Sequence, residues 1–189
     1  MTFRCLCLAV ALTIMPIGAR PLAAADNSIA SWKDLLRDRI SEYGHRNWIV
    51  IADSAYPTQT SPGIETITAN ADHFQVLQTV FDALNKSRHV TPIVYTDREL
   101  QFVEDSDAPG ISVYREQLSD FLNSNPPQAL PHEQIISKLD QVSQSFRVLI
   151  IKTNMALPYT SVFLQLDCAY WSPQAERKLR SAMAKHPAK

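Results

Sequence analysis

The chain has 189 residues, with 18 basic and 19 acidic side chains, a formal net charge of −1 and 46% hydrophobic residues. That balance excludes a disordered polyelectrolyte and leaves no basic face for nucleic acid or an anionic membrane. The length suits one domain with a substantial core.

The N-terminus reads as an export signal. Arg4 precedes the apolar stretch Leu6 to Ile17, which is short for a bilayer span. Ala23-Ala24-Ala25 then supplies the small-x-small pattern of a cleavage site. Residues 1–25 are therefore expected to leave as a signal peptide, taking Cys5 and Cys7 with them. The mature chain would start at Asp26, periplasmic or secreted, with no membrane attachment and two fewer arginines (Arg4 and Arg20). Cys168 is then alone, which excludes an internal disulfide, and its apolar surroundings (LQLDCAY) predict burial.

Ser31 to Tyr43 is predicted as a helix. Ser31 and Asp34 form a capping box, Trp32, Leu35, Leu36, Ile40 and Tyr43 share one face, and Gly44 stands at its end. Trp48 to Ala52 is a continuous apolar run that predicts a strand covered on both faces. Thr58 to Gly63, flanked and interrupted by Pro57 and Pro62, is a loop. A helix from Asp72 carries Phe74, Leu77, Val80, Phe81 and Leu84 on one side.

Val90 to Tyr95 is a second strand and Asp105 to Gly110 a turn. A helix from Ser112 is expected to pack Val113, Leu118, Phe121 and Leu122. After a loop over Asn123 to Pro131 comes a helix from His132 to Ser145, then strands over Arg147 to Lys152 and Tyr159 to Leu166. Ser172-Pro173 opens a terminal helix in N-cap and N1 style, which ends in a basic tail. Helices alternating with buried strands predict an α/β fold, a three-layer sandwich around a largely parallel sheet. The expected division is a signal over 1–25, one α/β domain over 26–171, and a C-terminal helix and tail over 172–189.

Several kinds of chemistry have no sequence support. There is no Gly-rich phosphate loop, no Gly-x-Ser-x-Gly elbow and no histidine pair at metal-ligand spacing. What remains in or beside loops is His45, Asp53, His132 and Tyr159. Sheets of this class collect ligands at the carboxyl ends of strands, and Asp53 follows such an end directly. The strand separating His45 from Asp53 is about 16 Å long at ~3.3 Å per residue. Either the chain folds back near Gly44, or the site draws on a neighbouring subunit.

Leu36 to Pro57 (LRDRISEYGHRNWIVIADSAYP) resembles the opening of the D-ribose pyranase and L-fucose mutarotase family: a helix, Gly-His, an apolar strand ending in Asp, then Pro. Ile151 to Leu164 (IKTNMALPYTSVFL) is similar to the family's closing segment, a strand, a Thr-Gly-Glu turn and Tyr-x-Asn before another strand. Thr91 to Val94 and Tyr114-Arg115 are similar to the fucose-type branch, and His132-Glu133-Gln134 to the ribose-type branch. The likeness runs from about Trp32 to Asp167.

The resemblance implies interconversion of anomers or ring forms of a free monosaccharide, without cofactor or metal, in a ring-shaped homo-oligomer with sites near subunit contacts. It implies that His45 is the general acid/base, Asp53 its partner and Tyr159 a hydroxyl that positions substrate. Ser161, His132 and Tyr56 are then expected in the pocket wall. Opening a hemiacetal needs one proton delivered and one removed, which suits a histidine beside a carboxylate.

Five positions depart from the family pattern. Ser161 stands for the Asn of Tyr-x-Asn, Asn154-Met155 for the Gly-Glu of the turn, Ile136 for a lysine, and Thr68 for an arginine. These changes keep open a non-catalytic exported sugar-binding protein on the same fold, or another carbohydrate reaction such as a lyase or epimerase.

Overall fold

A computed structural model describes residues 31–185. The expected signal peptide, its cleavage site and the last four residues of the basic tail lie outside the described residues. Helix α1 (Trp32–Glu42) starts at Ser31, whose hydroxyl accepts from the Asp34 N–H and donates to the Asp34 carboxylate. It ends at Tyr43, and the left-handed residue beyond is Arg46 (φ 74°) rather than Gly44. Strand β1 (Trp48–Ala52) is buried along its whole length between two neighbours.

Strand β2 (Ile64–Thr68) is an element the sequence reading does not contain. It is a half-buried edge strand with Ile64 and Ile67 on opposite faces, so it shows neither alternation nor a long apolar run. Helix α2 (His73–Lys86) is capped by the Asp72 carboxylate, which accepts from the Phe74 and Gln75 N–H groups. Strand β3 (Val90–Asp97) runs two residues further than expected, because Thr96 and Asp97 continue the ladder although their side chains are polar. Pro92 is tolerated there because the outer neighbour covers only Tyr95 to Asp97.

A short 3₁₀ turn (Arg98–Gln101) leads to α3 (Ile111–Phe121), entered through Gly110 at φ 95°. The expected packing of Val113 is corrected: it is 54% exposed, and Ile111, Tyr114 and Leu118 form the buried face. Strand β4 (Gln128–Leu130) lies inside the segment read as a loop. It is a three-residue edge strand, too short and too exposed to leave a pattern. Helix α4 (His132–Ser143) precedes β5 (Val148–Lys152) and β6 (Val162–Cys168). The last strand starts three residues later than expected, because residues 159–161 form its approach and Tyr159 is left-handed (φ 56°). Cys168 is half-buried at its end.

The sheet order is β2-β5-β1-β6-β3-β4. Only β6 runs antiparallel to its neighbours, so the other strands share one direction. One face carries α1, α2 and α3 over a core containing Ile49, Ile51, Leu77, Leu118, Ile151 and Leu164. The other carries α4 over Trp48, Val50, Ile135, Leu139, Ile150 and Phe163. Each such side chain contributes roughly 1.5–3 kcal/mol by leaving water, and together they make the three layers the sequence predicts. Helix α5 (Pro173–Lys185) buries none of its residues. No described helix is long and apolar enough to cross a membrane.

Candidate functional site

This topology brings particular residues to one edge of the sheet. Strands β1, β3 and β5 all end there, and antiparallel β6 begins there. Asp53 follows β1, Asp97 closes β3, Thr153 follows β5, and Tyr159 and Ser161 lead into β6. Two helices start at the same edge, α2 with His73 and α4 with His132.

Asp53 is held from two sides. Its Oδ1 accepts from the Ala55 N–H at 2.9 Å, an Asx turn, and its Oδ2 accepts from the Ser161 hydroxyl at 3.2 Å. Beside it an open cleft of about 300 Å³ is lined by Asp53, Tyr56, Pro57, His132, Glu133 and Ile136. Tyr56 is buried, and loss of hydration raises its phenol above the ordinary tyrosine range.

His132 is oriented by a carboxylate that sequence reading passed over. Its Nδ1 lies 3.0 Å from Asp97 Oδ1, and the Asp97 side chain is 1% exposed. Burial pushes the Asp97 carboxyl up to about 6, against the pull of its hydrogen bond to His132; Glu99 and Asp53 raise it further. The His132 N–H donates to the Glu99 carboxylate, 3.0 Å to one oxygen and 3.1 Å to the other. Glu99 thereby caps α4, a task the preceding Pro131 cannot perform with a side-chain acceptor. The Tyr159 ring meets the His132 ring edge-on, centroids 5.7 Å apart.

With Nδ1 donating to Asp97, neutral His132 offers Nε2 as a base, and Nε2 has no hydrogen-bond partner among the described residues. The cleft therefore has an imidazole in its wall, a buried carboxylate behind that imidazole and the Asp53 carboxylate in the same lining. Such a set can exchange protons with a bound hydroxyl. Among the described residues no three His, Cys, Asp or Glu side chains converge as a metal-ligand group.

Of the sequence-predicted residues, the chain thus gathers Asp53, Ser161, Tyr56, His132 and Tyr159. It does not bring His45 to them. His45 is an exposed turn residue before β1, whereas Asp53 follows that strand. The chain does not fold back near Gly44: the Arg46 N–H donates to Leu166 O and the Trp48 N–H to Arg147 O, so the segment enters the sheet directly. Asp97 was legible by the same rule that singles out Asp53, an acid at the carboxyl end of a parallel strand. The expected strand stops at Tyr95, which leaves Asp97 outside it.

RbsD from Bacillus subtilis, determined with D-ribose, is 20% identical in sequence; the similarity covers 70% of this chain and 91% of that one, with a TM-score of 0.48. The fucose mutarotase of Streptococcus pneumoniae, determined with L-fucose, is 16% identical, covering 73% of this chain and 93% of its own, also at 0.48. FucU from Bifidobacterium longum is 15% identical, covering 70% and 92%, at 0.47. No curated protein sequence matches. A family profile matches residues 33–169, from the first turn of α1 to just past β6, and the chain belongs to the RbsD / FucU transport protein family.

Proposed function

We propose that this protein interconverts the anomers or ring forms of a free monosaccharide by general acid/base catalysis in the cleft between Asp53 and His132. The observation that carries the reading is the pairing of two supported groups at one edge. Asp53 is held by Ser161, and His132 is held by Asp97, both beside the same cleft.

In this reading His132 Nε2 takes the proton of the anomeric hydroxyl while the imidazolium of His45, brought from a second copy of the chain, donates to the ring oxygen. The C1–ring oxygen bond breaks and leaves the open-chain aldehyde. Rotation about C1–C2 and closure on the other face give the second anomer, with the two protons returned. Asp53 accepts a sugar hydroxyl, and Tyr159 positions another. Proton transfer of this kind contributes about 10²–10⁴-fold, enough to matter for a reaction that already runs slowly in water.

His45 enters in this reading from a second copy of the chain, in a ring-shaped homo-oligomer that brings the start of one β1 to the cleft of the next protomer. Export from the cytoplasm belongs to the same proposal and would supply free sugars released outside the cell. A second reading is sugar binding without turnover, favoured by Ile136, whose apolar side chain lines the cleft.

NMR magnetisation transfer between anomers tests the proposal, using ribose, fucose, galactose, glucose and xylose with the protein from Asp26 to Lys189. Exchange faster than in buffer for any of them is expected. Broadened sugar resonances at the buffer rate of exchange would instead support binding alone.

A further inference from the structure

Behind the cleft lies a buried hydrogen-bonded chain. His73, the first residue of α2, is 0% exposed, and both of its ring nitrogens meet hydroxyl groups. Nδ1 lies 3.2 Å from Thr153 Oγ1 and Nε2 lies 3.1 Å from Tyr114 Oη. Each hydroxyl then reaches a backbone carbonyl. Thr153 Oγ1 is 2.9 Å from Ala52 O, and Tyr114 Oη donates to Thr160 O at 2.7 Å.

The identity of those carbonyls matters. Ala52 immediately precedes Asp53, and Thr160 stands between Tyr159 and Ser161. The buried chain therefore ties together the two backbone segments that carry the cleft's carboxylate and its hydroxyls. One proton arrangement keeps the chain intact with a neutral ring: His73 Nδ1–H donates to Thr153 Oγ1, Thr153 O–H donates to Ala52 O, and Tyr114 O–H is shared between Thr160 O and His73 Nε2. Ala52 O keeps the Thr153 N–H at 2.9 Å in that arrangement. An apolar residue in place of His73 would leave two buried hydroxyls without their shared partner.

Tyr159 also needs external support. Its left-handed backbone (φ 56°) is one that a bulky side chain adopts only when the surroundings impose it. The Thr160 carbonyl held by Tyr114, and the Thr160 hydroxyl bound to Leu157 O at 2.9 Å, supply that constraint on the next residue.

We propose that His73, acting through Tyr114 and Thr153, is a positioning residue that sets the distance and orientation of Asp53 relative to Tyr159 and Ser161. Its effect on turnover rests on the sugar-interconverting reading above; its effect on the geometry of residues 159–161 does not. Small displacements of a reacting group can cost about 10²-fold in rate.

The test uses His73→Leu and Tyr114→Phe in the mature chain, with two readouts. The first is the amide resonances of Asp53, Tyr159, Thr160 and Ser161, followed by ¹H–¹⁵N correlation; these should shift in both variants while those of Glu65 and Leu130 at the outer strands stay in place. The second is anomeric exchange, expected to fall at least tenfold in kcat with KM within about twofold, because the groups that touch substrate are all present. Folded variants with resonances of residues 53 and 159–161 unmoved would overturn the proposal, as would displaced resonances with an unchanged kcat. If the wild-type protein shows no exchange, the functional reading fails and the resonances alone decide this one. Should His73→Leu fail to fold, Tyr114→Phe removes a single oxygen and carries the same readouts.

Discussion

Asp97 holds His132 by a 3.0 Å hydrogen bond from a position in which the carboxylate is almost completely shielded from water. A buried carboxylate behind an imidazole fixes its tautomer and stabilises the charge it acquires on taking a proton. Asp97→Asn keeps the shape and an acceptor but loses that charge. Anomeric exchange in this variant is expected to fall about 10²-fold, at the lower end of what acid/base help contributes. Exchange at the wild-type rate would remove Asp97 from the mechanism.

The same residue makes a stability prediction with a definite sign. Burial pushes its folded pKa up to about 6, from the ordinary 3.8 of an aspartate. The folded state therefore binds more protons than the unfolded state between roughly pH 4 and 6, and the contribution of Asp97 to stability is lost as pH rises through that window. At ~1.4 kcal/mol per pKa unit the span is about 3 kcal/mol. Denaturant titrations should show Asp97→Asn gaining on the wild type between pH 4 and 7.

His73 works in the opposite direction. Burial lowers its pKa from 6.5 to about 4, although Asp72 and Asp53 pull it upward. The unfolded chain binds the extra proton between those values, so the stability His73 confers is complete above about pH 6.5 and lost as pH falls towards 4. The span is again about 3 kcal/mol. Because the two groups oppose each other, the wild type should vary less between pH 4 and 6 than either His73→Gln or Asp97→Asn. Parallel pH–stability curves for wild type and His73→Gln would show that His73 is not the source.

Ser161 donates to the Asp53 carboxylate. Ser161→Ala should lower kcat/KM about tenfold, the equivalent of one modest hydrogen bond of ~1–1.5 kcal/mol. Ser161→Asn restores a donor with a longer reach and is expected to recover exchange with an altered preference among sugars. Competition kinetics between two sugars measure both effects.

Gly63 is a purely structural case. A Cβ there would run into the backbone carbonyl oxygens of Ser143 and Phe146, neither of which can rotate away. Gly63→Ala should cost about 1–3 kcal/mol, the usual penalty for overpacking. Chemical denaturation checks it, and an unchanged midpoint would mean that β2 and the end of α4 are further apart than described.

His45 and Asp53 stand at opposite ends of β1, so a shared site requires two chains. An equimolar mixture of His45→Ala and Asp53→Asn, unfolded and refolded together, should recover part of the exchange that each variant lacks alone. No recovery, with each variant folded, would leave His45 outside the site.

The sheet's centre was legible because burial on both faces writes itself as an apolar run, as in Trp48 to Ala52 and Val148 to Ile151. The capped helices were legible for a different reason, since Ser31 and Asp72 announce their first turns chemically. The edge strands β2 and β4 were not, because one unpaired side and exposed residues leave no period to read. Within the site, Asp53 and Ser161 could be named from the chain, but their hydrogen bond joins residues 108 apart and depends on β6 lying antiparallel beside β1. His73 was hidden by its polarity, and Asp97 by the expected end of its strand at Tyr95. A polar residue in a sequence reads as surface, and only the fold reveals that both are enclosed and partnered.

Catalysis by the cleft between Asp53 and His132 stands on proton exchange with a free sugar. Magnetisation transfer between the anomers of one responsive sugar, measured at pH 7 for wild type, Asp53→Asn and His132→Ala, tests it most directly. Wild-type exchange above the buffer rate is expected, with a loss of about 10²-fold or more of the enzymatic contribution in each variant. Wild-type exchange that survives in both variants would contradict it and move the chemistry elsewhere on the protein.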